Sequence, residues 1–540
     1  MNIHVSRRSF LASAAAFAAS TGSQAGEGRQ EISFAHGVAS GDPLHDRVIL
    51  WTRVTTPRWF DDLEVRWQVA RDAKMRRVVA NGRASANIWR DFTVKVDVDT
   101  LDPATTYYYQ FTVRGIRSPV GRTRTLPRWN ARAARLAMVS CSNLPAGLFN
   151  VYALIAQRAD LDAVLHLGDY LYEYANGTFG DGAPLGRVPA PDKEILSLMD
   201  YRLRHAQYKS DVDLQAAHRQ HPFICVWDDH EIANDSWEHG AENHNPELGE
   251  GDYEVRKRAA IRAYFEWMPI REWAHVPNAR IYRQFRFGQL ADLLMLDTRH
   301  HGRDQQSAAK PISPTAGFPA NDPVANDPSR TLLGLDQEAW LTERLSLSQS
   351  RGTTWRLLGQ QVMMAQLSPS GGQTLFNLDQ WDGYIPARQR LFDAARDNGV
   401  DNLVVLTGDI HSSWANELTS NPWNPAAYDP ATGRGVVGVE FVTPGVSSPG
   451  ILNPVEAAQT AAFVRSVSPH MKYAELNKRG YVLLDIDHER VQGEFWHVAT
   501  VDAPSREQVL AAAFVNEAGA NRLQPASSAS PARIEVEPAA

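Results

Sequence analysis

Carboxylate and imidazole side chains in this chain stand directly after short apolar runs. Asp169 lies in Gly168-Asp169-Tyr170, Asp229 and His230 in Asp228-Asp229-His230-Glu231, and Asp409 and His411 in Gly408-Asp409-Ile410-His411. Oxygen and imidazole donors of this kind bind Fe, Mn, Zn or Ca. Two metals sharing a carboxylate can clamp a phosphate ester while activating water for in-line attack. One Asp at a strand end is most simply a helix N-cap, but that explanation fits the whole set poorly. Glycine before Asp169 and before Asp409 suits a sharp strand-to-loop turn, where a Cβ would crowd a metal. A turn at Asp229-His230 would aim the carboxylate at metal and the imidazole at substrate. Arg299, in Asp297-Thr298-Arg299, is a candidate for holding substrate oxygens because guanidinium matches phosphate bidentately; its alternative is an ion pair with Asp297 or Asp304.

The elements that must position these groups are short strands in a layered α/β domain. Arg135–Ser140, Ala163–Leu167, Phe223–Trp227, Leu290–Leu296, Trp355–Leu358 and Leu403–Leu406 are rich in Val, Ile and Leu and too short for helices. Their carboxyl ends should gather on one rim, where ligands bind in such folds. Upstream, Val65–Ala70 and Thr93–Val98 alternate apolar and polar residues as half-buried strands do. Leu101–Phe111 reads as the turn and tyrosine-bearing strand of a fibronectin-type sandwich. The expected organisation is a β-sandwich over 32–126, a linker across Arg122–Arg135, a catalytic domain over 135–500, and a C-terminal helix and disordered tail over 501–540.

The chain has 540 residues, 43% of them hydrophobic and 22% charged, with 62 acidic against 55 basic side chains. A net charge of −7 without a basic block argues against a nucleic-acid surface. It contains no apolar run of 18 residues, so no transmembrane segment is expected. Ser6-Arg7-Arg8-Ser9-Phe10-Leu11, the Ala-rich run after it and Ser23-Gln24-Ala25 read as a cleavable signal peptide over 1–25, similar to a twin-arginine signal. The expected partner is then the twin-arginine export machinery, and the expected location periplasmic or secreted. Cys141 and Cys225, the only two cysteines, provide no CxxC zinc site. Cys141 is open to two roles, a disulfide with Cys225 or a metal ligand where its loop leaves the strand.

Cys141-Ser142-Asn143, Gly168–Tyr174, Trp227–Glu231, Leu296–Arg299, Gly359–Val362, Gly408–Ser413 and, near the start, His36–Pro43 together resemble the PhoD-type alkaline phosphatases. These are relatives of the purple acid phosphatases within the calcineurin-like metallophosphoesterases. The resemblance implies a four-layer αββα core with an N-terminal β domain, and hydrolysis of small phosphate monoesters, with diesters possible for the same core. It implies an Fe(III) ion held by Cys141, Asp169, Tyr172 and His411. Asp169 would bridge to a Ca(II) site completed by Asp409 and by Asp229 or Asn234 of the Asp229–Asn234 stretch. His230 would stabilise the transferring phosphoryl group or protonate the leaving alkoxide. A phospholipase D-like diesterase and a non-catalytic metal-binding surface protein are the competing readings.

Overall fold

The computed structural model describes residues 32–57, 62–272, 280–313, 316–533 and 537–539; the expected signal peptide lies outside them. Two large sheets stack face to face. The first has ten strands, in the order 523–525, 508–517, 490–498, 480–487, 133–139, 163–166, 222–225, 38–41, 48–53 and 93–98. The second has seven, in the order 283–287, 291–295, 355–359, 403–407, 436–442, 413–419 and 471–475. Their central strands are parallel, so the carboxyl ends of 133–139, 163–166 and 222–225 face the same way, as do those of 291–295, 355–359 and 403–407. All six runs expected as buried strands are strands of these two sheets.

Side-chain alternation builds the layers. Leu293 and Met295 join the core shared with Leu136, Met138, Val164 and Leu165 of the first sheet. Leu294 and Leu296 point the other way, into a second core with Leu341 and Leu345 of helix Leu335–Ser350 and Phe392 of helix Ile385–Asp397. On its outer face the first sheet carries helices Asn150–Ala156, Leu198–Lys209, Val212–Gln220 and Tyr253–Trp267, represented by Tyr152, Tyr208, Leu214 and Ala260. This is the four-layer αββα arrangement, with an N-terminal β unit attached.

The N-terminal unit is less separate than the sequence implied. Strands 63–70, 78–86, 106–113, 116–117 and 121–124 form their own sheet. Strands 38–41, 48–53 and 93–98 instead extend the first large sheet, with Ser40 and Gly41 paired in parallel to Pro222 and Phe223. A single core of Val38, Val48, Leu50, Val65, Val69, Tyr109 and Phe111 fills the space between the two sheets. The Tyr107 hydroxyl accepts from the Asp102 N–H at 2.9 Å, the tyrosine corner expected of a sandwich of this kind. The segment expected as a linker begins as strand Gly121–Arg124, and the buried Arg122 guanidinium donates to Ala159 and Gln220 carbonyls.

The C-terminal expectation of a helix and disordered tail is corrected. Gln508–Glu517, Ala-rich though it is, pairs antiparallel with Arg490–Val498, and Leu523–Pro525 adds a further edge strand. Alanine favours helix by well under 1 kcal/mol per residue over most others, and the open edge of a ten-stranded sheet outweighs that preference. The residues beyond it are tied down: Ser530 N–H donates to Glu494, Arg533 reaches the Ala134 carbonyl, and the Glu537 carbonyl accepts from Tyr108. Among the described residues no helix is long and apolar enough to cross a membrane.

One buried cation ties the N-terminal unit to the loops above it. Lys209, 1% exposed, lies 5.0 Å from the ring centres of both Trp51 and Tyr170, and its Nζ is 2.9 Å from His218 Nε2. Burial pushes its pKa down to about 7. The unfolded chain then binds more protons than the native state from pH 7 up to the ordinary lysine range, so this contribution to stability rises with pH across that window, at up to about 1.4 kcal/mol per pH unit. Urea unfolding of wild type and Lys209→Met at pH 7 and pH 9.5 tests this. The wild type should gain stability relative to the variant at the higher pH; an unchanged difference would contradict it.

Candidate metal centre

Five of the six strand tips of the two parallel sets deliver residues to the site. Cys141 follows strand 133–139, Asp169 follows 163–166, Asp228 and Asp229 follow 222–225, Arg299 follows 291–295, and Asp409 and His411 follow 403–407. Several of these residues hold left-handed backbone conformations without being glycine: Cys141 (φ 61°), Asp169 (54°), Asp409 (64°) and His411 (54°). Such a conformation costs a non-glycine residue about 1 kcal/mol or more, and its recurrence at one rim marks a functional site. Gly168 is required for a local reason: at φ 106° its Cβ would sit 2.4 Å from Asp228 Cβ. A Cβ on Gly408 would come 2.9 Å from Ser140. The crowding these glycines relieve is therefore between neighbouring loops, a correction to the expectation that a Cβ would crowd the metal.

Two clusters of donors share Asp169. In the first, ligand atoms of Cys141, Asp169 and His411 all lie within 4.8 Å of one another. The Tyr172 hydroxyl joins them, 3.0 Å from Asp169 Oδ2 and 3.0 Å from His411 Nε2, and accepts from Ser448 Oγ at 2.7 Å. Cys141 is free of any disulfide, and so is Cys225, buried inside its strand. The disulfide alternative is thereby removed. In the second cluster, donor atoms of Asp169, Asp229 and His230 converge, and so do those of Asp228, Asp229 and Asp409.

The electrostatics of the site suit a cation. Burial, reinforced by the Asp169 charge, holds the Cys141 thiol and the Tyr172 phenol well above their usual pKa values. Burial likewise pushes the Asp228 carboxyl well up and moves Asp409 up to about 6. The Asp379 charge, with burial, pushes Asp235 up to about 8. Asp169 Oδ1 and Asp228 Oδ2 are buried without a hydrogen-bond partner among the described residues, which costs free energy unless something else satisfies them. A bound cation would satisfy both oxygens and favour the ionised forms of the side chains it touches. The donor set fits metal.

The Arg299 guanidinium, expected to hold substrate oxygens or to pair with Asp297 or Asp304, is engaged elsewhere, and only the Arg299 backbone N–H reaches the Asp297 side chain, at 3.0 Å. Its guanidinium is fully buried: Nε bonds Asp228, Nη1 bonds Asp379 at 2.7 Å and Nη2 bonds Asp409 at 2.8 Å, with Asp229 at 3.6 Å. Donors spent on that many carboxylates are not available to a phosphate. Arg303 pairs with Asp379 as well.

Glu231 plays a matching role for the backbone. Its carboxylate accepts from the N–H groups of Asp169 (3.1 Å), Tyr170 (2.6 Å) and Asp228 (2.8 Å), binding two ligand loops together. His230 Nδ1 is 2.7 Å from Glu173 Oε2. Burial opposes the imidazolium, but the Glu173, Asp229 and Asp169 charges hold the His230 pKa well above its usual value. Asn234 donates its amide nitrogen to Glu242 and its backbone N–H to Glu173, on the turn that carries Asp229.

Glu173, Asp379 and Ser448 belong to the site but were not singled out from sequence. Glu173 sits beside Tyr172 in a motif already marked by its spacing, and Asp379 lies two residues before Trp381-Asp382. Ser448, in a Gly/Pro/Ser loop, carries no chemical signal. A groove of about 1140 Å³ opens elsewhere, against Lys257, Arg258, His300 and His301; none of the cluster residues lines it.

Comparison with known proteins agrees with this geometry. The family model described as "PhoD-like phosphatase" matches residues 136–495, and that of its N-terminal domain matches 18–127. "Alkaline phosphatase D" of Bacillus subtilis (strain 168) is 34% identical over 511 residues, covering 92% of this chain and 82% of that protein. The solved structure described as "Structure of PhoD" superposes with a TM-score of 0.81 at 32% identity, covering 94% of each chain.

Arg299→Met separates an anchoring role from a substrate-binding one. Stranding several carboxylates in the interior should cost about 3–5 kcal/mol in chelator-treated protein, read by denaturant unfolding. A variant with wild-type stability and only a raised KM would restore Arg299 as a substrate clamp.

Proposed function

Because the chain belongs to the PhoD-like phosphatase family, we propose that it hydrolyses phosphate monoesters outside the cytoplasm, at the cluster built on Asp169. That it is a phosphatase follows from the family. The observation that carries the finer reading is the convergence of Cys141, Tyr172 and His411 on the Asp169 carboxylate.

In this reading Cys141, Asp169, Tyr172 and His411 would hold an iron(III) ion, because thiolate and phenolate are good donors to it. Asp169, Asp229, Asp409 and Asn234 would hold a calcium ion, which takes oxygen ligands. The Asn234 amide nitrogen is engaged by Glu242, which leaves its carbonyl oxygen for the cation. When bound, the ions neutralise the phosphate oxygens and acidify the attacking water. The twin-arginine-like start of the chain supports export by that machinery to the periplasm or beyond.

The remaining chemistry belongs to the chain. His230 Nδ1 lies against the Glu173 carboxylate, which favours the imidazolium, and its Nε2 makes no hydrogen bond among the described residues. It is therefore placed to give a proton to the leaving alkoxide. Asn243 Nδ2 and the Asn234 N–H both donate to Glu173 Oε1, fixing the carboxylate that orients the imidazole. Arg299 balances Asp228 and Asp409 without meeting substrate.

Turnover of p-nitrophenyl phosphate, bis-p-nitrophenyl phosphate and a simple alkyl phosphate by wild type and His230→Ala tests the proposal. Wild type should hydrolyse the monoesters. The variant should lose about 10²–10⁴-fold on the alkyl ester, whose leaving group needs a proton, and far less on p-nitrophenyl phosphate. Wild-type activity on the diester alone would favour the diesterase reading; equal losses on both monoesters would remove His230 as the proton donor.

A further inference from the structure

Two rings beside the proton donor take no part in the chemistry above. Tyr174 meets the His230 ring edge-on, with centroids 5.4 Å apart, and Phe179 lies nearly parallel to His411 at 5.7 Å. They are 6.2 Å from each other. Tyr172 closes the gap behind them, 5.7 Å from Phe179 and 4.2 Å from His230. Tyr172 and His230 are buried, whereas Tyr174 and Phe179 are half-buried, so the cluster reaches solvent at those two rings.

Both rings are held by their backbones. Arg204 donates to the Tyr174 carbonyl at 3.1 Å, and Asn143, on the Cys141 loop, donates to the Phe179 carbonyl at 2.6 Å. The Tyr174 hydroxyl makes no hydrogen bond among the described residues, so nothing polar recruits a tyrosine there. Phe179 stands in an otherwise polar or small loop, Ala175-Asn176-Gly177-Thr178-Phe179-Gly180-Asp181. The charged side of the site, with Asp228, Asp409 and Arg299, is built from other strand tips.

We propose that Tyr174 and Phe179 form the seat for the leaving group, and that the site favours monoesters of aromatic or similarly flat, apolar alcohols. The inference rests on the reading of His230 as proton donor. A leaving oxygen must come within hydrogen-bond reach of that imidazole, and the atoms bonded to it then lie against the rings packed on it. Stacking on an aromatic face is worth from a few-fold to about tenfold in binding, and the preference should be of that size.

The test compares kcat/KM for 1-naphthyl phosphate and ethyl phosphate in wild type, Tyr174→Phe and Tyr174→Ala, with metal content measured for each. Tyr174→Ala should lose about five- to tenfold on the naphthyl ester and less than twofold on the ethyl ester, while Tyr174→Phe retains both rates. Equal losses on both esters would overturn the proposal, because the ring would then only support His230. Unchanged rates on both would overturn it too. A wild type that hydrolyses neither ester would refute the monoesterase reading itself, a result distinct from either.

Discussion

Asp169, Asp228, Asp229, Asp379 and Asp409 bring more negative charge into a buried rim than the guanidiniums of Arg299 and Arg303 can balance. Two of their oxygens have no hydrogen-bond partner among the described residues, the Asp228 and Asp409 carboxyls are pushed up, and so are the neighbouring thiol and phenol. Such groups are tolerated in a folded interior when they are protonated or paired with positive charge. The surrounding architecture can be understood as the means of assembling that charge and keeping it in place until cations complete it.

Rigid strands supply the placement. Parallel strands from two stacked sheets end at one rim, and the loops of Cys141, Asp169 and Asp409 turn sharply there through left-handed conformations. Glu231 then bonds the loops of Asp169 and Asp228 to each other, while Arg299 spans from the first sheet's loops to Asp409 on the second. Removing either tie would separate parts that come from distant stretches of sequence. The N-terminal unit contributes by continuing the first sheet through Val38–Gly41, beside the strand that leads to Asp228 and Asp229.

The sequence made legible whatever combined a residue type with a position. Asp169, Asp229, Asp409 and His411 each follow a short apolar run, and a carboxylate at a strand end is visible without knowing what it meets. Cys141 and Tyr172 became legible only through the longer motifs around them. What could not be read depends on tertiary partners. Arg299 resembles a phosphate clamp until the four carboxylates around it are seen, and Asp379 and Ser448 reach the site from loops that carry no pattern. The Ala-rich C-terminus reads as helix because intrinsic propensity is local, whereas the open sheet edge that captures Gln508–Glu517 is not.

The most direct measurement is anomalous X-ray scattering from crystals of the purified protein, collected above and below the iron absorption edge. The account predicts an iron peak among Cys141, Asp169, Tyr172 and His411, and a second, non-iron density between Asp169 and the carboxylates of Asp229 and Asp409. Ordered crystals of active enzyme with no cation on Asp169, or with Cys141 and Tyr172 turned away from the iron, would contradict it.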